Sequence, residues 1–500
     1  MIDKIITALT PDYHKLTAKR VFLILFCIAF FIRFPFFFRD YIDLDESTFI
    51  LMGQSWLDGH FPYTELWDLK PPLVFLFFAG IIGLFGKSFV ALRLAGVAVV
   101  VLGALYLYKI GKRVHSPKLG FWSSVLFVVL SSLFGSLQGV MSEHISMAFF
   151  LAGYYQLTRS SSTNIARLLL AAVLLGGAFM TKLNLSYAIL LLVLVYCYQA
   201  YLRQGVLKTL SVMSLLGIGI ILPAAILFTM YYFHGYGAIW WESVISASIA
   251  YGRIPFSERT DTLVPIAIIV VLIGLFVRWN IKKKAIPDQW HLLFLLAACS
   301  GILFSFYKVG KVNGHYLIQL YPFLILLLLS FVFYFSFFST EKVGKTLLFL
   351  ALLTPTESYL EYYAIANNYL KKNTLYNGEG IEVPKYLSAQ FPDVQNIWFM
   401  EFHIGYWYLG QNPPTKATTH PSNLMRDQLF PYMRNPRGSS LEELQFILNS
   451  KAPEIIVTKG ERIPFNAENK EEVYAYFEKY LKVHYQFVEQ IGKATIYKRL

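Results

Sequence analysis

The sequence predicts a mainly α-helical, polytopic membrane protein with a small α/β domain at its carboxyl end. Hydrophobic residues make up 56% of the 500-residue chain and charged residues only 15%, which is too apolar for a water-soluble globule of this length. Apolar runs that approach the roughly 20 residues needed to cross about 30 Å of hydrocarbon recur over residues 1–360. From residue 361 the chain becomes polar.

About eleven apolar runs are predicted to cross the bilayer. The first is too long and too aromatic for a removed signal peptide, and it lacks a small-residue cleavage site, so we expect it to be retained. Cys27, Cys197 and Cys299 lie inside such runs, where they act as small hydrophobes, and they predict no disulfide or zinc framework. The runs are residues 21–38, 89–110, 119–137, 144–157, 168–180, 185–202, 210–233, 263–277, 292–306, 316–338 and 346–359.

Lysine and arginine residues are concentrated in short loops between these runs, which accounts for the net charge of +13 without nucleic acid as a partner. By the positive-inside rule these loops and the amino terminus are cytoplasmic, and the loop of residues 39–88 is outside. This topology requires that residues 72–85 do not cross the membrane. Their 14 residues make about 21 Å of helix, so we expect a juxtamembrane or partly inserted helix.

The polar tail, residues 361–500, is predicted to be a small α/β domain outside the membrane. Short β-like runs lie at residues 396–399, 454–458 and 494–497, and they alternate with helix-like segments at residues 441–448 and 471–481. The domain organisation is therefore a membrane module over residues 1–360 followed by this extracytoplasmic domain.

Carboxylates follow the first span in the outer loop, where Asp43, Asp45 and Glu46 lie within four residues. A positioned carboxylate can remove a proton from an attacking hydroxyl, and a pair can hold a divalent cation. An acidic cap of the next helix is the alternative. Lys70 ends the same loop and suits a lipid phosphate, although a snorkelling lysine at the membrane surface is equally consistent.

Further charged residues are predicted at turns on the same outer face. Buried charges at a bilayer are costly, so Glu143 and Lys182 favour a function, with ordinary loop residues as the alternative. Together these carboxylates and cations are typical of a site for group transfer from a lipid-linked phosphate. The additional candidates for substrate binding are Arg253 in the loop after residue 233, and Lys308, Lys311, His315 and Tyr316.

The ordered set of motifs in the amino-terminal part resembles the dolichyl-phosphate-mannose–protein mannosyltransferase-like family of GT-C glycosyltransferases, to which the bacterial lipid A aminoarabinose transferase is similar. The resemblance covers about the first 190 residues, where it includes Glu143 and Lys182, and extends more loosely over residues 308–322. The motifs are Asp45-Glu46-Ser47-Thr48-Phe49, Gly59-His60-Phe61-Pro62-Tyr63, Trp67-Asp68-Leu69-Lys70-Pro71-Pro72, Leu84-Phe85-Gly86-Lys87-Ser88 and Leu92-Arg93-Leu94.

The resemblance implies a GT-C-type bundle in which Asp45 is the catalytic base, Glu46 is its neighbour and Glu143 is a second acid of the site. Lys70 matches the family lysine that faces the lipid phosphate, and Lys182 with the Lys308–Lys311 turn matches further cations. Leu69 stands where the aminoarabinose transferase has a zinc-binding glutamate. The metal is therefore left unassigned: no cofactor is obligatory, and a divalent cation is possible.

The implied reaction moves a sugar from a polyprenyl-phosphate donor to a lipid, glycan or protein acceptor outside a plasma membrane or bacterial inner membrane, with inversion. Two alternatives remain open at this point. One is a transporter or flippase for lipid-linked sugars, although neither inverted repeats nor helices broken at the midplane are evident. The other is a non-catalytic scaffold for cell-envelope assembly.

Overall fold

The structure is a computed structural model that describes residues 12–40, 43–160, 164–252, 260–310, 312–335, 346, 349–350, 353–460 and 470–500. The chain forms two compact units. A helical unit comprises Met1–Phe34, Arg93–Leu227 and Gly252–Leu360, and a mixed unit comprises Pro35–Leu92, Phe228–Tyr251 and Glu361–Leu500. Each unit is thus assembled from three separate stretches of sequence.

The helices and strands are numbered in chain order. The helices up to residue 283 are α1 (Ala18–Arg33), α2 (Leu44–Leu57), α3 (Pro72–Phe85), α4 (Phe89–Val114), α5 (Pro117–Leu130), α6 (Ser142–Arg159), α7 (Ile165–Phe179), α8 (Ser186–Phe233), α9 (Gly237–Trp241), α10 (Ala247–Tyr251) and α11 (Thr260–Lys283). The later elements are α12 (Gln289–Val309), α13 (Tyr321–Tyr334), α14 (Thr356–Lys372), α15 (Glu379–Gln390), β1 (Ile397–Phe399), α16 (Gly405–Leu409), α17 (Ser440–Phe446), β2 (Ile455–Lys459), α18 (Glu471–His484), β3 (Tyr485–Ile491) and β4 (Ala494–Arg499).

Long apolar helices confirm the predicted mainly α-helical membrane fold. Within the described residues, five helical segments are long and apolar enough to cross a membrane: Ala18–Phe38, Phe89–Val114, Leu183–Phe233, Thr262–Lys283 and Gln289–Val309. Four shorter apolar helices accompany them, namely α3, α5, α7 and α13. Helix α3 has the bounds predicted for the juxtamembrane segment.

Several helix boundaries differ from the predicted spans. The spans predicted at 185–202 and 210–233 are the two helical segments of α8, which meet at Gly205, where the backbone leaves the helical conformation with a φ of 75°. The span predicted at 119–137 ends as a helix at Leu130. The span predicted at 346–359 lies partly outside the described residues, and α14 begins near its end and continues to Lys372.

Small residues allow close helix packing inside the helical unit. A Cβ atom built on Gly111 of α4 would lie 2.6 Å from the Cα of Gly120 in α5. One built on Gly301 of α12 would lie 2.3 Å from the Cα of Ala188 in α8. Because lipid tails compete with apolar side chains, such backbone proximity is a main source of helix association in membranes.

The carboxyl-terminal sheet of the mixed unit has four strands in the order β1-β2-β4-β3. Strands β1 and β2 are parallel, with Ile397 opposite Ile455, and β4 pairs antiparallel with both β2 and β3. The predicted sheet at this end is confirmed. The sequence did not predict β3, an edge strand on which only Tyr485 is buried, because a bulge between Phe487 and Glu489 interrupts the alternation of apolar and polar residues.

Hydrogen bonds join the first and last stretches of the mixed unit. The Asp40 carboxylate accepts a hydrogen bond from Gly380 N at 2.6 Å, and the Asp40 amide donates to Asn377 O at 3.0 Å. The Asn377 amide in turn donates to Phe38 O at 3.0 Å. The segment that leads into α2 is thereby fixed against residues of the carboxyl-terminal part.

Candidate functional site

The first turn of α2 carries the predicted acidic group. Asp43 is the N-cap, and its carboxylate accepts a hydrogen bond from Asp45 N at 2.9 Å. Asp45 and Glu46 follow in the first helical turn, where negative charge is favourable to the helix dipole. The alternative of an acidic cap therefore describes Asp43, while Asp45 makes other contacts with its side chain.

Asp45 lies between a lysine and a histidine in the mixed unit. Its Oδ1 atom is 3.2 Å from Lys70 Nζ and 3.1 Å from His420 Nε2. Lys70 Nζ is also 3.5 Å from Asp68 Oδ2. The Asp45 side chain is 14% exposed and that of Lys70 is 15% exposed. A carboxylate and a cation predicted from one loop are thus brought together in a largely desolvated position.

The hydrogen bonds of His420 determine its tautomer. Its Nδ1 atom accepts a hydrogen bond from Ser422 N at 3.2 Å. Since an amide nitrogen can only donate, Nδ1 carries no hydrogen in the neutral ring, and the hydrogen is on Nε2. His420 therefore donates to Asp45 and cannot accept a proton from it at Nε2.

The loop that carries Lys70 is held by buried polar contacts. Tyr63 adopts a φ of 74° and donates its hydroxyl hydrogen to Lys70 O at 2.6 Å. The indole of the fully buried Trp67 donates to Ser243 Oγ at 2.9 Å, and the Trp67 amide donates to Thr419 Oγ at 3.2 Å. Burial raises the pKa of Tyr63 well above its usual value, so this hydroxyl stays a donor.

A second histidine, His403, packs against α2 beside this group. Thr48 donates its hydroxyl hydrogen to Leu44 O at 2.9 Å and lies 3.0 Å from His403 Nε2, so it accepts from that nitrogen. Complete burial, with a smaller contribution from His420, lowers the pKa of His403 to about 3. His403 is therefore a neutral structural side chain under ordinary conditions.

A separate charged cluster lies in the helical unit. Lys182 Nζ is 2.5 Å from Glu143 Oε1, and Ser142 donates its hydroxyl hydrogen to Glu143 Oε2 at 3.0 Å. Glu143 is fully buried, and Lys182 Nζ also lies 4.6 Å from the ring centroid of Tyr316. His315 Nε2 approaches Glu143 Oε1 at 3.9 Å, which is too long for a hydrogen bond.

The candidate residues thus fall into two groups, one in each unit. Asp45 and Lys70 are together in the mixed unit, where Glu46 is also buried. Glu143, Lys182, His315 and Tyr316 are together in the helical unit. Lys308 is exposed in the last turn of α12, while Arg253 and Lys311 lie outside the described residues. Convergence of both groups on one face remains a prediction.

Sequence reasoning missed His420 and His403. Both lie in the carboxyl-terminal part, among short turns without a periodic pattern, and each is an isolated histidine in the sequence.

The structure also bears on metal ligation. Among the residues that the structure describes, no group of three or more His, Cys, Asp and Glu side chains could hold a metal ion. The backbone carbonyl of Leu69 accepts a hydrogen bond from Ser248 Oγ at 3.4 Å.

Solved structures share this architecture. ArnT from Cupriavidus metallidurans bound to undecaprenyl phosphate has a TM-score of 0.54 at 11% sequence identity, with 97% of each chain covered. The same protein in the apo state gives a TM-score of 0.54 at 11% identity, covering 97% of this chain and 99% of that one. AglB, the oligosaccharyltransferase from Archaeoglobus fulgidus in complex with an inhibitory peptide and a dolichol-phosphate, gives 0.50 at 12% identity, with 98% and 75% covered. The fold is therefore that of a polytopic GT-C membrane protein.

The family comparison adds sequence-level support. Residues 69–231 match the family described as dolichyl-phosphate-mannose-protein mannosyltransferase. No curated protein sequence matches the chain. The match begins at the residue before Lys70 and includes Glu143 and Lys182. The GT-C resemblance predicted from the sequence is confirmed, and the chain is an integral membrane glycosyltransferase.

Proposed function

We propose that the protein transfers a sugar from a polyprenyl-phosphate donor to an acceptor on the extracytoplasmic face of the membrane, with Asp45 as the base. The observation that carries the proposal is the 3.2 Å approach of Lys70 Nζ to Asp45 Oδ1, with both side chains largely buried. A displacement at one carbon needs a base for the attacking hydroxyl and a cation for the departing phosphate within the same site.

The proposed reaction is a single displacement at the anomeric carbon. The acceptor hydroxyl oxygen attacks that carbon while its proton passes to the Asp45 carboxylate. The bond between the anomeric carbon and the phosphate oxygen breaks, and the electron pair leaves with the polyprenyl phosphate. Attack opposite to the leaving group inverts the anomeric configuration. Lys70 neutralises the negative charge that develops on the departing phosphate.

Glu143 is proposed as a second acid of the site, next to Glu46 and Asp45 in role, and the remaining candidates are proposed to bind the substrates. Glu143 and Lys182 form a buried ion pair in the helical unit, with His315 and Tyr316 beside them. Together with Arg253, Lys308 and Lys311, these residues are proposed to contact the donor phosphate, the sugar or the acceptor. The charge of the loops supports an extracytoplasmic site and carboxyl-terminal domain, with the amino terminus in the cytoplasm.

The first test concerns the base. Purified full-length protein in lipid is incubated with polyprenyl phosphates that carry different radiolabelled sugars and with an extract of membrane lipids, glycans and proteins. Asp45→Asn should lower transfer by about 10²–10⁴-fold, since that is the usual contribution of a general base. The exposed Asp58→Asn, at the other end of α2, is the matched control and should keep wild-type transfer.

The second arm of this test concerns the phosphate. Lys70→Ala should weaken binding of undecaprenyl phosphate by about 10- to 100-fold, the effect of losing one charge-assisted hydrogen bond. The exposed Lys385→Ala serves as its control. Substantial transfer by a folded Asp45→Asn protein would remove Asp45 from the base role, and unchanged lipid affinity of Lys70→Ala would remove Lys70 from the phosphate. Label that crosses the bilayer while it stays on the donor lipid would indicate transport instead.

A further inference from the structure

We propose that His420, supplied by the carboxyl-terminal part of the chain, positions the Asp45 carboxylate for proton abstraction. This inference depends on the proposed function, because it assigns a partner to the proposed base. It gives the carboxyl-terminal part a direct role in the reaction site. His420 acts through Asp45, so it is a positioning residue and not a group that contacts the substrate.

The geometry supports orientation rather than proton relay. His420 Nε2 donates to Asp45 Oδ1 at 3.1 Å, and the His420 side chain is 9% exposed. Since Nδ1 is occupied by the Ser422 amide, the ring has no acceptor atom directed at Asp45. A proton that Asp45 takes from the acceptor therefore cannot pass on to His420.

Two donors meet at one carboxylate oxygen. Lys70 Nζ and His420 Nε2 both contact Asp45 Oδ1. In the proposed reaction Lys70 turns its charge towards the donor phosphate, which weakens its hold on Asp45. His420 is not needed for the phosphate, so it keeps the carboxylate in the same rotamer throughout. A small misplacement of a catalytic group can cost about 10²-fold in rate, so this restraint matters for turnover.

The turn that carries His420 is itself fixed to the loop of Lys70. Thr419 Oγ accepts a hydrogen bond from the amide of Trp67 at 3.2 Å, and Trp67 is three residues before Lys70. Ser422 contacts the imidazole through both its amide and its hydroxyl, the latter at 2.8 Å. The histidine is therefore held from both sides of its own turn, as a positioning residue must be.

The test compares two amide replacements of the same ring. The side-chain amide of Gln reaches the position of histidine Nε2, so it keeps a hydrogen-bond donor for Asp45. The side-chain amide of Asn reaches only the position of Nδ1, so it can keep the hydrogen bond with Ser422 but not the one with Asp45. We expect His420→Asn to lower kcat by about 10- to 100-fold, since a hydrogen bond to a charged group is lost. We expect His420→Gln to recover most of that loss.

The measurements separate positioning from folding. Transfer from polyprenyl-phosphate mannose and from the other labelled sugars is measured for each variant, with undecaprenyl phosphate binding as the test of donor affinity. Both variants should bind undecaprenyl phosphate like the wild type, so the loss appears in kcat and not in KM. The exposed His484→Gln, at the end of α18, is the control for a histidine change in this part of the chain.

Equal kcat values for the Asn and Gln variants would overturn the proposal, whether both are low or both are normal. A loss confined to KM would also overturn it. The outcome is separable from that of the proposed function. An inactive Asp45→Asn protein combined with a fully active His420→Asn protein would refute the inference alone, whereas an active Asp45→Asn protein would refute both.

Discussion

Removal of the cation at Lys182 gives the sharpest test of the buried cluster in the helical unit. At the 2.5 Å separation from Glu143 Oε1 and an effective dielectric constant of about 20, the direct attraction is about 7 kcal/mol. Much of this offsets the desolvation of both charges. The Lys182→Met protein would keep a fully buried carboxylate, still bonded to Ser142, without the charge that compensates it. We therefore expect it to lose about 3–5 kcal/mol of unfolding free energy.

The double variant Glu143→Gln with Lys182→Met is the comparison for this single variant. It removes both charges, and the side-chain amide that replaces the carboxylate can still bond to Ser142, so the unfolding free energy should return to within about 1 kcal/mol of the wild type. Unfolding in mixed micelles, titrated with sodium dodecyl sulfate, measures these differences without reference to catalysis. A single variant as stable as the wild type, or a double variant as unstable as the single, would refute the buried ion pair.

Two further predictions concern pH and metal ions. Because the pKa of His403 is about 3 in the folded protein and about 6.5 when unfolded, the unfolded chain takes up a proton that the folded chain excludes. The contribution of His403 to the unfolding free energy should be complete above pH 6.5 and fall by about 1.4 kcal/mol for each pH unit from there down to about pH 3. This contribution is the part of the pH dependence that His403→Gln removes, and denaturation of both proteins at pH 7.5 and pH 5 measures it. Since Lys70 neutralises the phosphate in the proposed reaction, sugar transfer should persist in EDTA. A loss of transfer in EDTA that Mg²⁺ or Mn²⁺ restores would instead assign a divalent cation to the carboxylates.

The proximity of the paired charges within each unit could be predicted from the order of the predicted spans along the chain. Asp45, at the start of α2, and Lys70, just before α3, are 25 residues apart in the segment that follows the first span. Glu143 begins α6 and Lys182 follows the end of α7. Since α6 and α7 are consecutive helices joined by a short connection, these two ends lie at the same level. Adjacency was therefore predictable from the order of the spans.

The histidine at Asp45 was not predictable in this way. His420 is separated from Asp45 by 375 residues and lies between short turns, where neither helical nor strand periodicity fixes a direction for its side chain. Its contact with Asp45 is determined by tertiary packing alone. Edge strand β3 was missed because the bulge between Phe487 and Glu489 interrupts its alternation of apolar and polar residues, and its pairing with β4 is what defines it as a strand.

The discontinuity of the mixed unit has a consequence for biosynthesis. Its stretches Pro35–Leu92, Phe228–Tyr251 and Glu361–Leu500 are separated by the segments that form the helical unit. At about 5–20 residues per second, translation of the 375 residues between Asp45 and His420 takes roughly 20–75 s. During that interval the α2 carboxylate has emerged and its histidine has not been made. A nascent chain can therefore insert its first spans well before the proposed base acquires its proposed partner, so the reaction site that we propose would be completed only late in synthesis.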